Sequence, residues 1–118
     1  MGFQDIEQPE VRTAPGQRPG VLILEVKGPL TIHNFFDFQN ATRSNSPVTI
    51  VNLGGVPFLD SAALGCLVGL HASCERSGRK YALVQVPERL QTMFSMTGIS
   101  DFLVIYPTSE EAEAALAE

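Results

Sequence analysis

Apolar residues in this chain gather into short, nearly unbroken runs, separated by stretches where they recur every three or four positions. Three runs stand out: Val21-Leu22-Ile23-Leu24-Glu25-Val26, Val48-Thr49-Ile50-Val51-Asn52-Leu53 and Tyr81-Ala82-Leu83-Val84-Gln85-Val86. Each is rich in β-branched and aliphatic residues, which predicts strands. The second run alternates little, as a strand covered on both faces would. Phe102-Leu103-Val104-Ile105-Tyr106 predicts a last strand. Phe3 to Thr13 is poorly patterned and predicts at most a weak edge strand. Ala14 to Gly20, with two prolines and two glycines, predicts a turn or loop.

The intervening stretches predict helices. Ile32, Phe35, Phe36 and Phe38 suggest one buried face over about residues 32–42, ended by Ser44-Asn45-Ser46-Pro47. Leu64, Leu67, Val68 and His71 mark a helix from about Ser61 to Arg76, with Gly78 as its carboxyl cap. Pro87-Glu88 opens a third helix, with Pro87 at the first helical position. Its apolar residues Leu90, Met93, Phe94 and Met96 are expected in the core. Thr108 and Glu111 form a capping box for a short final helix. The order β, β, α, β, α, β, α, β, α requires crossover connections and a largely parallel sheet. The fold class expected is a single α/β domain over residues 1–118, a four- or five-stranded mixed sheet carrying about four helices. Residues 1–20 are weakly patterned and 21–116 hold the core pattern. Val48–Leu53 and Tyr81–Val86 should be adjacent parallel strands joined by the Ser61–Arg76 helix.

Composition narrows the functions. A chain of 118 residues, 44% hydrophobic and 18% charged, has the size and make-up of one globular domain. Its net charge of -5 disfavours nucleic acid and anionic membrane surfaces as partners. No apolar run approaches the ~20 residues of a membrane span, so no membrane insertion is expected. The first residues lack a basic and an apolar segment, so no signal peptide is expected and the location expected is cytoplasmic. Cys66 and Cys74 fall on one helix about 12 Å apart, too far for a disulfide, and are expected as reduced thiols facing the core. Cys66, His71 and Cys74 offer three metal ligands without a fourth, so no metal is expected. His33 is expected to be solvated. Ser61 has Leu59 and Ala63 where a nucleophile elbow needs glycines, and no phosphate-binding Gly-rich loop with Lys is present. No catalytic residue, cofactor or enzymatic activity is expected.

The stretch from Gly55 to Gly65 joins a buried strand to a helix and carries the candidate chemistry. Asp60 and Ser61 stand where a helix amino cap belongs. A hydroxyl there meets unpaired N–H groups and the positive end of the helix, which suit a phosphate carried on the serine. Ser61 is expected at or next to the cap, at least partly accessible to solvent. The same position also suits plain capping.

Three pieces of the chain together resemble the STAS domain, the module named for sulfate transporters and anti-sigma-factor antagonists. They are Val48 to Ser61 followed by Leu64-Gly65, Gly78-Arg79-Lys80-Tyr81-Ala82-Leu83-Val84, and Leu90 to Ile99 with its Thr97-Gly98-Ile99 ending. Bacterial antagonists of this type bind a serine kinase that doubles as an anti-sigma factor, and a phosphatase reverses the phosphorylation. The resemblance therefore implies a regulatory protein-binding switch phosphorylated on Ser61, with Asp60, Ser61, Ala62 and Leu64 in the docking face. The family pattern is departed from at Ala62 and Ala63, where Ser or Thr and then Gly are usual. It is also departed from at Gly28-Pro29-Leu30-Thr31, which lacks the usual acids, and at Asn52. Two alternatives stand beside this reading: an unphosphorylated STAS scaffold or transporter-associated subunit, and a small anion- or nucleotide-binding domain using the helix end at Ser61.

Overall fold

The computed structural model describes residues 10–33 and 35–117. The elements, in chain order, are β1 (Glu10–Pro15), β2 (Val21–Lys27), α1 (Phe35–Ala41), β3 (Val48–Gly55), α2 (Ser61–Ser77), β4 (Lys80–Val84), α3 (Glu88–Met96), β5 (Ile105–Tyr106) and α4 (Ser109–Leu116). They form one five-stranded mixed sheet whose strand order follows the chain, β1-β2-β3-β4-β5. β1 pairs antiparallel with β2, and the remaining pairs are parallel. The expected adjacency of β3 and β4 is present, with Val48 opposite Lys80 and Val51 opposite Leu83, and α2 crosses between them.

The sheet separates two apolar layers. On one face Leu24, Val26, Val51, Leu53 and Leu83 pack with Phe38 of α1, Leu67 and Leu70 of α2, and Leu90 and Phe94 of α3. On the other, Val21, Val48, Ile50, Ala82 and Val84 pack against Ala112 of α4. The layers alternate along β3 and β4, which is why those runs read as unbroken hydrophobicity. Glu113 in α4 is 4% exposed, and its carboxylate accepts hydrogen bonds from the N–H groups of Gln17 (3.1 Å) and Arg18 (2.9 Å). That fork fastens α4 to the β1–β2 turn.

Several boundaries differ from the sequence expectation. The weak edge strand exists, but as Glu10–Pro15, so it takes in two residues assigned above to a loop; residues 3–9 of the expectation lie outside the described residues. Proline is tolerated there because β1 is an edge strand, with one side free of ladder bonds. The last strand shrinks to Ile105–Tyr106, with Leu103 turned into the core and Phe102 left 39% exposed. Pro87 is the amino cap of α3 and Glu88 its first residue. Met93 is only half-buried and Met96 is 82% exposed, so of that helix's expected core residues only Leu90 and Phe94 are fully enclosed. Gly78 caps α2 in the left-handed region at φ 75, as its position predicted.

Candidate functional site

The parallel strands β2 and β3 end side by side, and the segments that leave them stay together. Gly28 N–H donates to the carbonyl of Gly55 (2.8 Å), Leu30 N–H to that of Phe58 (3.2 Å), and Asp60 N–H to that of Leu30 (3.2 Å). Gly55 suits this close contact. A Cβ there would lie 3.2 Å from the Val26 carbonyl oxygen and 3.0 Å from Lys27 Cγ. Leu30 and Leu59, buried to 0% and 2% exposure, form a parallel bridge that anchors both segments in the core. The backbone therefore delivers Asp60 to the sheet's carboxyl edge in an extended conformation, φ -97 and ψ -175.

Asp60 spends both carboxylate oxygens on backbone donors. Oδ1 accepts from the N–H of Ala63 (3.0 Å), the amino-cap bond of α2. Oδ2 accepts from the N–H of Ile32 (2.9 Å), twenty-eight residues earlier. The Ala63 bond, then the Ile32 bond, stabilise the ionised form and hold the Asp60 carboxyl below its ordinary pKa. Asp60 is therefore a fixed negative charge at neutral pH.

Ser61 follows as the first residue of α2 and is exposed. Among the described residues its hydroxyl has no hydrogen-bond partner. Of the other candidate residues, Ala62 is half-buried and Leu64 turns partly inward against the core. The structure thus brings Asp60 and Ser61 to the surface, places Ala62 at their side, and gives Leu64 a packing role. Of the positions that depart from the family pattern, Asn52 turns its Oδ1 onto Gly54 N–H (2.8 Å), and Thr31 Oγ1 accepts from His33 N–H (3.3 Å).

The segments around the starts of α1 and α2 expose large apolar side chains that the sequence did not disclose. Ile32 is 58% exposed, Phe58 45% and Phe36 61%. Ile32 precedes α1 because its N–H is taken by Asp60, so it leaves the face on which periodicity placed it. A signal for Phe36 was available. At 100° per residue Phe35 and Phe38 share a face, whereas Phe36 stands about 100° or more from each. It stacks on Phe35 with ring centroids 4.4 Å apart. No pattern marked Phe58.

The remaining candidates have structural partners. His33 is exposed. His71 Nδ1 lies 2.8 Å from the Tyr81 hydroxyl, which also accepts from Val104 N–H (3.1 Å). His71 Nε2 lies 3.5 Å from Glu75 Oε2. Cys74 is buried, and burial pushes its thiol pKa up. Cys66, expected in the core, is only half-buried and faces the gap between α1 and α2, because Gly65 and Gly69 leave that flank of α2 open. No described helix is long and apolar enough to cross a membrane.

The STAS domain family model matches residues 13–112. A curated relative, the anti-sigma-B factor antagonist of Staphylococcus epidermidis, is 30% identical over 60 residues, covering 51% of this chain and 56% of the relative. The matched stretch thus spans little more than half of that relative's length. A candidate anti-sigma factor antagonist from Thermotoga maritima has the same fold at TM-score 0.82 and 25% identity, over 92% of this chain and 95% of that one. The Bacillus cell fate determinant SpoIIAA, solved in its phosphorylated form, superposes at TM-score 0.68 with 16% identity, over 90% and 98% of the two chains, a likeness of fold.

Proposed function

The chain belongs to the STAS domain family, and from that premise we propose that it is a docking switch of the anti-sigma-factor-antagonist type. It binds an anti-sigma factor that is also a serine kinase, and loses that partner when Ser61 is phosphorylated. A phosphatase restores it. The protein acts by binding and catalyses nothing itself. The observation that carries this reading is the exposed Ser61 hydroxyl at the first position of α2, without a hydrogen-bond partner among the described residues, beside the fixed charge of Asp60, which also holds the N–H of exposed Ile32. Exposed aromatic and aliphatic side chains of this kind are what the core of a protein interface buries.

The electrostatics suit a switch. A phosphate on Ser61 adds about -1.5 to -2 charges. Two unit charges about 4 Å apart repel by roughly 1 kcal/mol in bulk water and about 4 kcal/mol at the dielectric of a protein surface. The amino end of α2 returns about 0.3–1 kcal/mol by stabilising the added charge within the free protein. What lowers affinity is the phosphate's own repulsion from, and desolvation against, the partner surface, and ~1.4 kcal/mol is already a tenfold change. A second reading, an unmodified scaffold, draws on Ala62 and Ala63, which stand where the family usually carries a hydroxyl residue and glycine.

The test is affinity capture with mass spectrometry of both the bound proteins and residue 61. Titration calorimetry of the captured partner against wild type, Ser61→Ala and Ser61→Asp then follows. Ser61→Asp should bind at least tenfold more weakly, and Ser61→Ala should bind well and resist modification. Fold stability should hold, because Asp and Ser are both good at helix starts. Equal affinities at equal stability would leave the scaffold reading and remove the switch.

A further inference from the structure

Between α1 and α2 runs an open groove of about 410 Å³, lined among others by Phe35, Arg43, Gly65, Cys66, Gly69 and Arg76 and floored by buried Leu70. It begins at Ala62, beside Ser61, and ends at Arg76. Fourteen residues of helix separate these, about 21 Å along the axis. Gly65 and Gly69 sit one turn apart in mid-helix, where glycine destabilises a helix relative to alanine. A Cβ added at either would meet nothing within 4 Å. The fold itself gives no reason for two glycines there. A second backbone approaching this flank does, because only a bare helix surface lets two helices come together closely.

The charge of the groove says what that second element is. The chain carries a net charge of -5, yet both charged residues in the groove's lining are arginines, Arg43 and Arg76. Neither has an ion-pair partner among the described residues. Arg79 stands at the same end, held by the Ser44 carbonyl (2.8 Å) and Ser73 Oγ (3.2 Å). We propose that this groove receives an acidic amphipathic helix of the protein partner, with apolar side chains over Gly65 and Gly69 and carboxylates on Arg43 and Arg76. The proposal rests on the docking reading of the Ser61 face and extends it along α2. The helix then lies along the whole flank with one end at Ser61. A phosphate there confronts its end, while the arginines hold the far end in register.

The test is photo-cross-linking in a lysate of the source organism, with Gln39→p-benzoylphenylalanine in the groove and Ala62→p-benzoylphenylalanine at its Ser61 end. The adducts are sequenced by mass spectrometry. The expected adduct at position 39 maps to an acidic helical segment. It should fall at least tenfold in Arg43→Glu/Arg76→Glu and in Gly69→Leu, neither of which should lower the melting temperature because they alter open surface. Gly69→Ala should melt at or above wild type. Capture at position 62 with none at 39, or adducts at 39 that map to neutral or basic segments or survive Arg43→Glu/Arg76→Glu, would overturn the groove and leave the Ser61 face standing. No adduct at either position would overturn both. Groove adducts that ignore Ser61→Asp would keep the groove and remove the phosphoswitch.

Discussion

Asp60→Ala removes one side chain that serves two segments at once. Its Oδ1 caps α2 through Ala63 N–H at 3.0 Å, and its Oδ2 ties α2 to the β2–α1 connection through Ile32 N–H at 2.9 Å. Loss of an amino cap costs about 0.5–2 kcal/mol. A hydrogen bond to a charged acceptor contributes about 1.5–3 kcal/mol when it is shielded. The Ile32 bond is exposed, so water replaces most of it and the lower end applies. About 2 kcal/mol in all is expected, a drop of roughly 8 °C in Tm for a domain of this size. Asp60→Asn offers one carbonyl oxygen and an NH2 group to two N–H donors, so it should keep one bond and lose about half as much. The pH dependence supplies a second check. Because the folded Asp60 pKa is lowered, its charge-linked stability is fully present above the unfolded value of about 3.9 and is lost as pH falls through the folded pKa. The stability gap between wild type and Asp60→Asn, measured by urea unfolding, should therefore be constant from pH 6 to pH 8 by this argument and shrink below about pH 4. An Asp60→Ala protein that melts with wild type, or a gap that does not close in acid, would refute the assignment of these bonds as the joint between α2 and its neighbour.

Two further substitutions probe the frame around the site. Glu113→Ala should destabilise by about 2–4 kcal/mol in urea unfolding, because the Gln17 and Arg18 N–H groups lose a charged acceptor; Glu113→Gln should recover part of it. Thr49 is fully buried on β3, and its Oγ1 has no hydrogen-bond partner among the described residues. Thr49→Val, which exchanges that hydroxyl for a methyl of similar shape, should leave the midpoint unchanged or raise stability by about 1 kcal/mol, and a loss of that size would mean the hydroxyl is satisfied.

Element order, the parallel pairing of β3 with β4 and the position of Ser61 were legible because they rest on local signals. Apolar runs mark Val48–Leu53 and Tyr81–Val86, an Asp-Ser pair marks a helix start, and Gly78 marks its end. What the sequence hid depends on contacts between distant residues. Ile32 continues the helical spacing of Phe35 and Phe38, but its N–H is claimed by an aspartate whose location only the β2–β3 pairing determines. Phe102 and Leu103 look like strand residues, yet the register with β4 holds only Ile105 and Tyr106, with the Val104 carbonyl accepting from Leu83 N–H at its start (2.8 Å). Met96 has the chemistry of a core residue and lies past the end of the surface that α3 buries. The groove was invisible for a related reason. Gly65, Gly69 and Arg76 belong to one helix, but Phe35 and Arg43 join them only when α1 lies across it.

The unequal cover of the two sheet faces has a consequence for how the chain comes into being. α1, α2 and α3 all share one apolar layer, and each emerges during synthesis directly before the strand it introduces. The opposite layer, Val21, Val48, Ile50, Ala82 and Val84, has α4 as its lid. α4 is made after every strand it covers, and Glu113 must return to the turn at Gln17 and Arg18, ninety-five or more residues earlier. A nascent chain that has completed β5 therefore carries a half-clad sheet, with a strip of valine and isoleucine open to water and to other nascent chains. Final closure waits for eight residues, and a ribosome pausing before them leaves that strip open for chaperones to shield.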